Sequence, residues 1–166
     1  SRTMTTIAAI AFALVLPLPI VSPSVPLLAA GLFILGAWNG TLDVSMNAHA
    51  VAVEQRYGRT IMSSFHGLFS LGGLAGAATA GLATASGVGR IPHVLIASGV
   101  AVAIIASVVG RLLPTAPETT RHAPTFAWPP RALLGLGSLA FLGLLAEGAM
   151  ADWSAVYLHD VLRTTP

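Results

Sequence analysis

Three polar residues recur at intervals of four inside one long apolar run: Asn39, Asp43 and Asn47 in GLFILGAWNGTLDVSMNAHA. On a helix that spacing stacks them along one face. Two amides flanking a carboxylate make a ridge suited to holding the hydroxyls of a polar solute, or the water that delivers a proton. Asp43 is the member of the three that can take up and release that proton. Gly36 and Gly40 lie on or beside the same face, where another helix or a ligand can come close. A carboxylate in the middle of a membrane-crossing helix costs about 2.5–3.5 kcal/mol on insertion scales unless it faces protein or a watered cavity, so Asp43 is expected to point inward. The ridge then lines a polar path, or it clasps two helices together.

His66 and Ser70 share a face one turn apart in SSFHGLFSLGGLAGAATAG. Counting from run ends placed at Ala50 and Ile61, Asp43 and His66 fall at similar depths, within reach of each other directly or through water. The alternative is that His66 bonds only a neighbouring backbone group or serine. In EGAMADWSAVYLHD, Glu147 lies well inside its run and Asp152 is close to the exit. Trp153 and Tyr157 fit the aromatic belt at the headgroup level. Trp153 also fits a cavity wall on which a solute stacks. Trp128 reads as an anchor on the cytoplasmic side.

Other chemistry is excluded. His49, His93, His122 and His159 are placed near helix ends or in loops, with no H-E-x-x-H spacing, so metalloprotease chemistry has no basis. The chain has no cysteine for a thiolate metal site or a disulfide. Its glycine-rich stretch lacks the lysine of a P-loop. No cofactor, metal or catalytic centre is expected, and the protein is not read as an enzyme. Eight arginines against six acids leave a scattered charge of +2, which is no nucleic-acid surface.

The elements that position these residues are five runs of roughly 20 residues, the length a helix needs to cross the hydrocarbon of a bilayer. They cover Met4 to Val21, Leu27 to about Ala50, Ile61 to about Ala85, Pro92 to Leu113, and Ala132 to about Leu158. Pro17 and Pro19 should kink or end the first, since an internal proline removes a hydrogen bond and clashes with the preceding turn. The opening arginine and apolar run read as a first helix rather than a cleaved signal. Gly72 and Gly76, extended by Gly73, Ala77 and Gly81, predict tight packing of the third run against a neighbour. EQRYGRT reads as a solvated turn, with an arginine available to cap the preceding carbonyls. Pro114 to Pro130 reads as a loop.

Backbone groups in lipid must be satisfied internally, so alanine- and leucine-rich spans are helices, and no alternating strands of a barrel occur. If all five runs cross, Arg2, Arg56, Arg59, Arg111, Arg121 and Arg131 share one side, while Arg90 and Arg163 take the other. The positive-inside rule makes the six-arginine side cytoplasmic, with the amino end inside and the carboxyl end outside.

The stretch GLFILGAWNGTLDVSMNAHAVAVEQRYGRTIMSSFHGLFSLGGLAGA resembles the fourth and fifth transmembrane helices of major facilitator superfamily transporters, in the fucose-permease-like branch and its bacterial relatives. EGAMADWSAVYL resembles their seventh helix. The likeness implies an all-α integral membrane protein, a helical bundle fragment of a fold built from two six-helix halves related by repeats. Residues 1–113 would close the first half with four helices, 114–131 would be the cytoplasmic connection, and 132–166 would open the second half. The first and second helices, the basic loop after them, and everything beyond the seventh have no counterpart.

The resemblance further implies secondary active transport of a small solute in the bacterial cytoplasmic (inner) membrane, proton-coupled and sugar-like, with partners in the lipid bilayer, the solute, protons and the missing helices. In the resembling sugar–proton symporters an acidic residue on the fourth helix handles substrate or proton, and Asp43 matches it. The cavity role on the fifth helix falls to His66. The family's acidic site on its first helix has no match. With no arginine cluster buried in a span, a neutral polar solute is favoured over a multiply anionic one. A structural or interaction membrane protein, or a drug efflux carrier, is the alternative.

Overall fold

A computed structural model describes residues 2–114 and 128–163. The chain divides into two compact units, Ser1–Glu118 and Thr119–Pro166, and each is described by itself. All regular structure among the described residues is helical. Among the described residues five helical stretches are long and apolar enough to cross a membrane: Arg2–Val21, Val25–Tyr57, Met62–Ala85, Arg90–Arg111 and Leu133–Asp160.

In the first unit, α1 (Arg2–Val15) stops two residues before Pro17, and the one-turn α2 (Leu18–Val21) follows. This is the break that Pro17 and Pro19 predict. After Ser22-Pro23-Ser24 the chain enters α3 (Val25–Tyr57), with Pro26 in its first turn, where the missing N–H costs nothing. At 33 residues α3 measures about 50 Å, well beyond the ~30 Å of bilayer hydrocarbon, so its end must tilt or project. Gly58 ends it in the left-handed conformation (φ 73°), donating its N–H to the Glu54 carbonyl at 3.0 Å.

Next come α4 (Met62–Ala85) and α5 (Arg90–Val108), the latter tightening into a 3₁₀ turn over Val109–Arg111. Gly87, at φ 72°, lets the chain turn between them.

Packing in this unit runs through small residues. Thr5, Ala8 and Ala13 of α1 are buried, as are Gly31, Ser45 and Ala50 of α3 and Val94 and Ser98 of α5. Lipid gives helices no hydrophobic reason to associate, so close backbone approach and interhelical hydrogen bonds must do it. The Thr5 hydroxyl donates to the Ser45 carbonyl at 3.2 Å, joining α1 to α3. The Ser98 hydroxyl donates to the Ala13 carbonyl, joining α5 to α1.

A Cβ placed on Gly31 would meet the Leu18 and Pro19 backbone at 3.4–3.5 Å, an ordinary van der Waals contact that leaves no room for a larger side chain. The glycine face of α4 behaves otherwise. A Cβ on Gly72, Gly73, Gly76 or Gly81 meets nothing within 4 Å, and no residue of α4 is buried. The neighbour predicted for that face is therefore not supplied by the described residues of this unit. Large side chains such as Phe33, Leu68, Phe69 and Leu74 stand outward on α3 and α4, an arrangement that water would penalise and lipid tolerates.

The second unit is described by α6 (Arg131–Asp160), preceded by exposed Trp128-Pro129-Pro130. Residues 115–127, which hold most of the stretch read as a loop, with Glu118, Arg121 and His122, lie outside the described residues.

Candidate functional site

The ridge predicted on α3 is present as a bonded pair with a neighbour. The Asn47 side-chain amide donates to Asp43 Oδ1 at 3.0 Å and to the Asp43 backbone carbonyl at 2.9 Å. That orients the carboxylate along the helix. Asn39 stands one turn earlier and exposed, and among the described residues no hydrogen bond joins it to Asp43. Gly36 and Gly40 are open to a distance of 4 Å. Chemically, the ridge offers one proton acceptor and two amides, with Asn39 and Asp43 exposed and Asn47 partly covered.

The ridge also lies near mid-helix. Asp43 is 18 residues from Val25 and 14 from Tyr57, about 27 Å and 21 Å along the axis. The sequence expectation ended this helix near Ala50, and that shortening is what set Asp43 level with His66. The correction follows from α3 running on through Val51-Ala52-Val53 to Tyr57. His66 is only four residues, about 6 Å, into α4. Among the described residues the two side chains are not bonded to each other. The Ser70 hydroxyl donates to the His66 carbonyl at 3.2 Å, so these two share a face as expected, and both are exposed. The inward orientation expected of Asp43 is likewise not met within this unit, where its side chain is exposed.

Two side-chain contacts between elements depart from the sequence expectation. His49 sits eight residues before the end of α3 rather than at its tip, and its Nε2 accepts the Leu113 N–H at 3.3 Å. A ring nitrogen that accepts there carries its proton on Nδ1, so this tie needs the neutral imidazole. Glu54, expected in a solvated turn, is half-buried and accepts two N–H groups, from Ile61 at 2.7 Å and Met62 at 2.8 Å. The capping at this corner thus runs from an acid to the start of the next helix, not from an arginine to the end of the preceding one. The available signal was the position of Glu54, one turn before Gly58 and just ahead of a new apolar run.

In the second unit, Glu147 and Trp153 are both exposed on α6. Six residues place them about 120° apart around the helix, so they do not form one stripe. The His159 ring and Asp160 carboxylate meet at 2.7 Å at the end of α6. Among the described residues no group of three or more histidine, aspartate or glutamate side chains is placed to hold a metal ion.

Over most or all of its length the chain is similar to two bacterial transporters and a bacterial membrane protein. It is 35% identical over 166 residues to an uncharacterized MFS-type transporter of Yersinia pestis, covering 99% of this chain and 43% of that protein. It is 36% identical over 148 residues to an uncharacterized transporter of Sinorhizobium fredii, covering 86% of this chain and 38% of the relative. The membrane protein MosC of Rhizobium meliloti is 32% identical over 165 residues, covering 99% and 40%. The chain thus spans roughly two fifths of the length of the curated relatives it matches. None of the three is described as an enzyme, and two of them are described as transporters. No family model and no solved structure matches the chain.

Proposed function

We propose that this chain is part of a major facilitator superfamily secondary transporter, in the fucose-permease-like branch, that moves a small neutral polar solute together with protons across the bacterial inner membrane. The carrying observation is the Asn47-bonded carboxylate of Asp43, near the middle of a helix and on an open face. A charged group at membrane depth is expensive unless it serves a pathway or a partner. The likeness to the Yersinia and Sinorhizobium transporters supports transport over a purely structural role.

In this reading the remaining helices of the longer protein close over the ridge, and Asp43 exchanges a proton as the cavity opens alternately to either side. Asn39 and Asn47 hold solute hydroxyls or the delivering water. His66, Ser70, Glu147 and Trp153 contribute to the wall of the path. The amino end lies in the cytoplasm.

The test is uptake by the complete protein in liposomes, with and without an imposed pH gradient, using panels of sugars, amino acids and amphipathic drugs. Gradient-driven accumulation of a neutral sugar-like solute is the expected result. Export of amphipathic drugs with no uptake of any polar solute would remove the sugar-like reading.

A further inference from the structure

We propose that Glu54 is the positioning residue of the polar ridge: its carboxylate, by holding the start of α4, sets how widely α4 opens from the Asp43 face of α3. The functional consequence rests on the transport reading above, whereas the clamp itself rests on geometry alone. Residues 43, 47, 50 and 54 are spaced i, i+4, i+7 and i+11, so they form one stripe down α3. The stripe begins at the Asp43–Asn47 pair and ends at the Glu54 carboxylate.

A single oxygen of Glu54, Oε2, takes both the Ile61 and the Met62 N–H groups. These belong to the cap and first residue of α4, where N–H groups have no partner within the helix and carry partial positive charge. An ionised acceptor makes both bonds charge-assisted. Arg56 and Arg59, in the same connection, are exposed, and among the described residues neither pairs with Glu54.

Little else restrains α4. Met62, Phe65, Ala80 and Ala83, toward its two ends, are partly covered, whereas residues 66–79 are all exposed. Among the described residues, no other side-chain hydrogen bond joins α4 to α3 or α5. The helix is held by its ends, and only the Glu54 end adjoins the stripe that carries Asp43. Leverage makes the clamp consequential. Twelve residues along α4 is about 18 Å, so a 10° change at the corner shifts that point by about 3 Å, as much as a hydrogen-bond length.

The test uses the complete protein in liposomes, with spin labels on Val44→Cys and Leu71→Cys. Both positions are exposed, and this sequence supplies no competing thiol. Glu54→Gln keeps an acceptor oxygen in place and should keep the inter-label distance distribution. Glu54→Ala removes the acceptor, and Glu54→Asp, one methylene short, cannot hold both N–H groups at their present lengths. Both should broaden the distribution toward longer distances. For a transported solute both should raise the half-saturation concentration several-fold with a smaller change in maximal rate, and Glu54→Gln should rescue it. Unchanged distributions in Glu54→Asp and Glu54→Ala would overturn the proposal, and Glu54→Asp alone decides if the alanine variant does not insert. A distribution that responds in a protein taking up no solute supports the clamp while the transport reading falls separately.

Discussion

Two glycine-bearing helices of the same unit, α3 and α4, meet their surroundings in opposite ways. Gly31 of α3 lies against the backbone of Leu18 and Pro19, inside a cluster of α1, α2, α3 and α5 stitched by Thr5 and Ser98. Among the described residues, a Cβ on any of the five glycines of α4, Gly67, Gly72, Gly73, Gly76 and Gly81, would meet nothing within 4 Å beyond the helix's own backbone. A small residue permits close approach without producing it. Where a hydroxyl can reach a carbonyl on the facing helix the approach is made, and α4 has no such bond to α3 or α5 among the described residues. The packed surface of α3 around Gly31 and Ser45 is thereby structural, and the exposed surface at Asp43 is left for chemistry.

The comparison breaks most readily at Gly31. Gly31→Leu forces a branched side chain into a contact that leaves room for little more than a methyl group, and should destabilise the detergent-solubilised protein by about 1–3 kcal/mol in thermal unfolding. Leucine at Gly76 should cost the isolated chain much less, because the space there is open. Equal losses at the two positions would mean that α4 is packed as tightly as α3.

A smaller effect is expected at Ser98. Ser98→Ala removes one interhelical hydrogen bond, worth about 0.6 kcal/mol on average in membrane bundles, and should lower thermal stability by that order without altering solute affinity. A loss of affinity at constant stability would move Ser98 from the packed side to the working side.

Much of this organisation is legible in sequence, for definite reasons. Apolar length sets the five spans, and Pro17 interrupts the first because its ring has no N–H to give. The four-residue spacing of Asn39, Asp43 and Asn47 fixes their common face whatever surrounds it. The end of α3 was harder to read, because a helix need not stop where hydrophobicity does. Val51-Ala52-Val53 carry the apolar run beyond Ala50, Glu54-Gln55-Arg56 carry the helix beyond the apolar run, and Gly58, with its left-handed backbone, closes it. That difference separated His66 from Asp43 in depth and brought His49 inside α3. The contacts of His49 with Leu113 and of Glu54 with Ile61 and Met62 join a side chain to another element's backbone, which carries no residue-specific signal. Likewise, glycine marks where helices are free to touch, and the partner decides whether they do.

Asp43 carries the account, and replacing it tests the account most directly. Asp43→Asn retains size and an acceptor oxygen but cannot titrate. In the complete protein in liposomes, the variant should lose uphill accumulation driven by a pH gradient while keeping solute exchange between the two sides of the membrane. Accumulation equal to the parent's would contradict the account and leave Asp43 as a polar clasp on α3.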